Sequence, residues 1–510
     1  MAADERAEIA QTFRTKWPGS TFARELASEA AVLLTVWLRP KTGGELDVAS
    51  AVKLGSTLPR ARTYTERKEL RTRTDADSAA AERLSAYLER IGFHVVGSHW
   101  RSIVISGPID RLIEAFGATV SIFADAEGRH FRHRSKGLHA PRDIAHLMRG
   151  VFGLHQWPRS RKLGALSRHA TPLSASDVVK RYDFPAADAA GQTIGIVQFR
   201  GEFKPADFDR CMRAQNVAPP PAHPIVKRVD GAAVTHAIET TKDLEAALDA
   251  QVIGALAPGA RIVIYEAPDD ERGFLDAIRT ALFDEEYRPS ILSISYGWPE
   301  PLWTPAALAV LDDLFVAAAL LGVSVFCSSG DNGAELGLDG KPHVLAPASS
   351  PFVHACGATA IVTTSDHDRE DAWEKSGGGF SEHADLPPWQ DAAKRVAARY
   401  HTAPNRGVPD VSAQQDPGYC VFLDGVELAL GGTSAVAPVW AALTARINAR
   451  LGISVGHFAP LLYASRDGVT RDVTQGNNGR FNAHAGWNPC TGLGVPVGSR
   501  IEAVLRGTRS

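Results

Sequence analysis

Apolar positions along the chain follow two different rhythms, and the boundary between them divides it into a smaller and a larger part. Residues 32–38 (Val-Leu-Leu-Thr-Val-Trp-Leu) form an apolar run closed by Arg39-Pro40 and predict a strand. Residues 79–91 place Leu84, Leu88 and Ile91 on one face, the spacing of an amphipathic helix. Residues 92–96 and 102–106 predict two more strands, 111–116 a second helix and 120–123 a last strand. The order strand–helix–strand–strand–helix–strand is that of an α+β, ferredoxin-like sandwich, expected over residues 1–155.

Beyond about residue 175 the apolar runs are longer and alternate with helices. Strands are predicted at 193–199, 261–265, 291–295 and 323–327, and helices at 243–254, 273–283, 305–321 and 439–451. Continuously apolar strands separated by helices indicate a parallel sheet covered on both faces, hence an α/β domain over 176–510. Between the two parts, residues 156–175 are polar and basic without periodicity and end near Thr171-Pro172. They are read as an exposed linker, the kind of segment where proteolytic nicking concentrates.

Composition narrows the functional classes. The chain has 510 residues, 44% hydrophobic and 22% charged, enough to bury a large core. The apolar stretch at 30–38 is far short of the roughly 20 residues that span a bilayer, so no membrane segment is expected. Charges run through the first 25 residues, and no secretory signal is visible there. Net charge is only −3, but residues 1–165 hold 26 Lys and Arg against 18 Asp and Glu, leaving the remainder acidic. A basic segment joined to an acidic one suggests that the two dock on each other. No basic cluster is interleaved with aromatic residues, which argues against nucleic-acid binding. The five cysteines are scattered and odd in number, and are read as buried free thiols.

Three local patterns carry chemistry. Gly431-Gly-Thr-Ser-Ala-Val-Ala-Pro438 places Ser434 after a glycine-rich turn at the start of a helix, where free backbone N–H groups favour developing negative charge. A serine nucleophile needs a base. The subtilisin pattern would supply a histidine in a His-Gly-Thr context, and no His-Gly pair occurs in the chain. Instead, Glu245 and Asp249 are four residues apart on a predicted helix and so share a face. Two acids this close share a proton at mildly acidic pH, so that one can take the serine proton while the other orients it. The third pattern, Val325-Phe-Cys-Ser-Ser-Gly-Asp-Asn-Gly333, runs from a strand into a glycine-bounded turn and puts Asp331 at a strand end.

Glu245-x-x-x-Asp249, Ser293-Ile-Ser-Tyr-Gly297, Ser329-Gly-Asp-Asn-Gly333, Pro347-Ala-Ser-Ser-Pro351 and Gly432-Thr-Ser434, in this order, resemble the sedolisin (kumamolisin-like) family of serine-carboxyl peptidases. The likeness extends over almost the whole chain. It implies an activation propeptide of about 165 residues followed by a subtilisin-like catalytic domain. It further implies Ser434 as nucleophile, Glu245 as general base, Asp249 as its orienting partner and Asp331 at the oxyanion hole. An ionised aspartate would repel an oxyanion, so Asp331 must be protonated, which points to acid pH because an ordinary Asp titrates near about 3.9. The resemblance also implies one Ca²⁺ site near the C-terminus, formed by Asp472 and Asn488 with backbone carbonyls of Val473, His484 and Gly486. Asn488 stands where relatives carry Asp, so weaker calcium binding is expected.

Other departures from the family pattern bear on mechanism. Gln198 stands where kumamolisin-like members have a Glu, and Tyr296 replaces their usual Trp, so a less acid pH optimum is expected. Leu345 occupies a position where some relatives have an acidic residue, which weakens the case for a basic-side-chain preference. The resulting expectation is a monomeric, extracellular zymogen acting on protein or peptide substrates, with its own propeptide as intramolecular inhibitor. Two alternatives remain at this stage. One is a sedolisin-like binding or regulatory protein with little turnover; the other is a conventional subtilisin-like protease working near neutral pH.

Overall fold

Strand Thr193–Phe199, buried throughout, is the axis of the larger part. The chain lays Ile225–Arg228 and Arg261–Ala267 on one side of it, and Ile291–Ile294, Ser324–Ser328 and His354–Thr363 on the other, all parallel. Val411–Asp416 extends the parallel set, and Asp368–Ala372 closes the edge antiparallel. Strand order therefore reverses at Thr193–Phe199, the point at which open α/β sheets place their sites, just beyond the carboxyl ends of the strands. Glu245, Asp249 and Ser434 all lie on helices of one face, Thr240–Leu256 and Thr433–Leu451, whereas Glu271–Leu282 and Pro305–Leu321 cover the other. The computed structural model describes residues 6–13, 17, 19–26, 30–126, 128–134, 136–156, 171–199, 201–218, 222–230, 240–363, 368–465 and 468–508. Most of the expected 156–175 linker lies outside the described residues.

The N-terminal part contains the expected sandwich, with one substitution of strands. Its antiparallel sheet has the order His94–His99, Ser102–Pro108, Ala31–Leu38, Met148–Phe152, backed by Ser78–Ile91 and Arg111–Phe116. The fourth strand is thus Met148–Phe152. The predicted strand at 120–123 exists as Val120–Ala124 but joins a separate three-stranded sheet with Thr21–Glu25 and His130–Arg134. Helices Val48–Ser56 and Arg67–Thr74, which the periodicity did not predict, are added between the first strand and the first sandwich helix.

The two parts do dock, on the face covered by Glu271–Leu282 and Pro305–Leu321. Trp37, Trp100 and Phe152 of the N-terminal part share one apolar core with Phe274, Leu314 and Phe315. Trp100 lies against Phe283 with ring centroids 4.8 Å apart. Two kinds of polar contact recur. Carboxylates take part in some: Thr35 Oγ1 donates to Asp276 Oδ2 at 2.6 Å, and Arg101 Nη1 reaches Asp313 Oδ2 at 3.1 Å. Main-chain carbonyls accept in others. Arg67 donates to Leu282 O and Pro289 O at 2.8 and 2.7 Å, and Arg62 to His457 O at 2.8 Å and to Val455 O. Leu282 ends its helix, so Arg67 supplies the positive group that a helix C-terminus favours. All five cysteines are buried and free.

Candidate active site

The turn before helix Thr433–Leu451 cannot be built without glycine. Gly432 has φ +97°, and a Cβ there would lie 2.5 Å from Asp331 Oδ2; a Cβ on Gly431 would lie 2.1 Å from Gln415 O. With both side chains absent, the Asp331 turn closes onto the helix start. Asp331 Oδ1 then accepts two hydrogen bonds from Thr433, from N–H at 2.8 Å and from Oγ1–H at 2.7 Å. Thr433 Oγ1 in turn accepts from Gly330 N–H at 3.0 Å. Oδ2, by contrast, is buried with no hydrogen-bond partner among the described residues. Burial raises the Asp331 pKa to about 6 against the opposing Thr433 bonds and the charge of Lys375. Because Oδ1 is occupied as an acceptor, the proton taken up below that pH belongs on Oδ2.

Ser434, the second residue of the helix, is fully buried. Its hydroxyl donates to Ser295 O at 3.3 Å, and Glu245 Oε1 is buried with no hydrogen-bond partner among the described residues. The Glu245 carboxyl is held well above the usual carboxylate range, first by burial and then by the neighbouring Asp249, with the Ser434 hydroxyl acting in the opposite direction. Asp249 is likewise raised by burial, against a bond from Ser295. The pair cannot hold two charges in such surroundings and keeps a proton in common.

Ser295 is the polar group that meets that proton. Its Oγ lies 2.8 Å from Asp249 Oδ1 and 3.1 Å from the Ser434 carbonyl oxygen. A carbonyl can only accept, and a serine hydroxyl has one hydrogen. When Asp249 is ionised, Ser295 donates to it; when Asp249 carries the shared proton it can donate to Ser295, which frees the Ser295 hydrogen for the Ser434 carbonyl. In the second arrangement Glu245 is the member of the pair free to be ionised beside the Ser434 hydroxyl. Sequence reasoning picked out the Ser-Ile-Ser-Tyr-Gly motif but gave Ser295 no part; a buried serine at a strand end carries no signal of its own.

Around this centre, Gln198 Nε2 donates to Tyr296 Oη at 2.7 Å. Tyr296 is buried, and both burial and the charges of Glu245 and Asp249 resist its ionisation. Leu345 is buried against Gly330, where an added Cβ would lie 2.8 Å from Leu345 Cδ1, so the wall beside Asp331 is apolar.

The structure also brings together the five residues expected near the C-terminus. Asn488 Nδ2 donates to His484 O at 3.0 Å and lies 3.4 and 3.5 Å from Gly486 O and Val473 O. Asn488 Oδ1 faces the other way and accepts from Cys490 N–H, Thr491 N–H and Thr491 Oγ1–H at 3.1, 3.0 and 3.1 Å. Asp472 Oδ2 accepts from Gly486 N–H at 3.1 Å. As the Asn488 side chain stands, a donor group and not its amide oxygen occupies the middle of the carbonyl cradle, an arrangement that does not suit Ca²⁺.

Comparison with known proteins gives a consistent set of likenesses. The family model described as Pro-kumamolisin, activation domain, matches residues 18–157. Kumamolisin from Bacillus sp. (strain MN-32) is 36% identical, over 98% of this chain and 96% of its own. Sedolisin from Pseudomonas sp. (strain 101) is 26% identical, over 87% of this chain and 82% of its own. The solved structure of Pseudomonas sedolisin, complexed with two molecules of pseudo-iodotyrostatin, superimposes with a TM-score of 0.59 at 26% identity, over 66% of this chain and 99% of that one.

Proposed function

Since the chain belongs to the sedolisin family of serine-carboxyl peptidases and carries that family's activation propeptide, we propose that it is an acid-acting endopeptidase made as a zymogen, with Ser434, Glu245, Asp249 and Asp331 as its machinery. The observation that carries this reading is the buried Ser434 hydroxyl, which favours the ionised form of Glu245 in a buried acid pair, beside a turn that presents a third carboxyl. Ser434 Oγ attacks the scissile carbonyl carbon as its proton passes to Glu245. Asp249, kept neutral, holds Ser295 and so the Ser434 main chain. The oxygen that becomes negative accepts from the Asp331 Oδ2 proton, a donor whose loss typically costs about 2.7–4 kcal/mol of transition-state stabilisation. Collapse of the intermediate breaks the C–N bond, and Glu245 returns its proton to the leaving amine. Water then hydrolyses the acyl-serine by the same route in reverse.

The same reading makes the protein a monomer that acts outside the cell on protein or peptide substrates, held inactive by its N-terminal part until acidification. The test is to incubate the full chain at about pH 4 and about pH 7, with Ser434→Ala alongside, and to follow chain length by mass spectrometry and digestion of a denatured protein. Self-cleavage and digestion at low pH, absent in the variant, are expected. An intact, inactive wild-type chain at both pH values would refute the assignment and favour a binding role.

A further inference from the structure

We propose that the side-chain amide of Asn488 takes the place of a bound cation, so that the C-terminal loop of this protein is closed by an internal hydrogen-bond plug and owes nothing to calcium. The direction of the amide is fixed from outside. Two backbone N–H groups, of Cys490 and Thr491, point at one atom of the Asn488 side chain from 3.1 and 3.0 Å, and only an oxygen can receive them. The nitrogen must therefore face the carbonyls of Val473, His484 and Gly486.

Three carbonyls converging on one point are costly to bury unless something positive stands among them. Calcium does this with oxygen ligands at about 2.3–2.6 Å; here the two amide hydrogens of a residue that is only 1% exposed do it instead. Turning the amide over to offer Oδ1 to a cation would set its –NH₂ against the Cys490 and Thr491 N–H groups. It would break three hydrogen bonds and leave two buried donors facing a third. An aspartate at this position has no such conflict. One oxygen could keep the two N–H groups while the other met the cation, and without a cation that second oxygen would be forced against three carbonyls.

The test uses the full chain with Ser434→Ala to prevent self-cleavage, with and without Asn488→Asp. Thermal unfolding is measured in EDTA, in about 10 mM calcium, which saturates even weak extracellular sites, and in matched magnesium. Calorimetric titration with Ca²⁺ accompanies each sample. The expected result is a wild-type midpoint that calcium leaves unmoved, with no binding heat, and an Asn488→Asp variant that unfolds earlier in EDTA and recovers by several degrees in calcium but not in magnesium. A wild-type midpoint raised by several degrees in calcium, or stoichiometric calcium binding, would overturn the proposal whether or not the variant folds. So would an Asn488→Asp variant that folds and gains no calcium response, since the cradle would then not be a place for a cation at all.

Discussion

Pro438 lies four residues beyond Ser434 in the same helix and leaves the Ser434 carbonyl without its helical partner. An α-helical C=O accepts from the N–H four residues ahead, and proline has none. The open acceptor is taken by Ser295 Oγ at 3.1 Å, the same hydroxyl that meets Asp249. One ring thus ties the main chain of the proposed nucleophile to the proton state of the acid pair.

Removing that hydroxyl tests the tie. Ser295→Ala should leave the fold intact and lower kcat by about 10- to 100-fold, the usual cost of stranding a buried polar group, with KM little changed. Ser295→Thr, which restores the donor, should recover most of the loss. Full activity of the alanine variant across the pH profile would show that Ser295 is packing alone.

Asp331 should act only when protonated, so activity should fall as pH rises through about 6. Asp331→Ala should cost a factor of about 10²–10³ in kcat. Asp331→Asn presents an amide donor that does not titrate; it should retain more activity than alanine and lose the descending limb near that pH. The measurement is kcat/KM against pH for the three proteins.

The same carboxyl makes stability depend on pH. A group whose folded pKa is raised to about 6 binds its proton more tightly in the folded state than in the unfolded chain, where it titrates near about 3.9. Its contribution is fully present below the unfolded value and is lost as pH rises through the folded one. In the Ser434→Ala background, adding Asp331→Asn should therefore flatten the part of the unfolding midpoint that declines between about pH 4 and pH 6.5. An unchanged slope would mean that Asp331 is not the buried acid described here.

Docking of the propeptide should loosen in steps. The Arg101–Asp313 contact needs an ionised aspartate, and burial raises the Asp313 pKa, so mild acid dissolves it sooner than an ordinary pair. Asp313→Asn should let the zymogen process itself at a higher pH than wild type, read as the pH at which half the chain is cleaved in a fixed time. Processing at the wild-type pH would leave this pair without a part in release.

What the sequence revealed and what it hid follow a physical line. Buried strands and strongly periodic helices were readable because one chain segment carries the whole signal. Helix Arg67–Thr74 (Arg-Lys-Glu-Leu-Arg-Thr-Arg-Thr) was not, because Leu70 and Thr74 are its only buried apolar or neutral positions and its Arg67 side chain is buried against Leu282 and Pro289, more than 200 residues away. The fourth sandwich strand was misassigned because an apolar run such as 120–123 states that it is a strand, not which strand it pairs with. At the site, Ser434, Glu245, Asp249 and Asp331 were picked out by residue type and spacing. The direction of the Ser295 and Asn488 hydrogen bonds was not, since it is set by neighbours that become adjacent only after folding.

Arg62 and Arg67 reach the catalytic domain through the backbone oxygens of Val455, His457, Leu282 and Pro289. Every amino acid presents the same oxygen, so substitutions at those four positions leave the anchor points in place as long as the backbone path is kept. The domain can drift in sequence there without escaping its own inhibitor. By the same token, a propeptide of this kind supplied as a separate chain should also restrain catalytic domains whose side chains differ at those four positions.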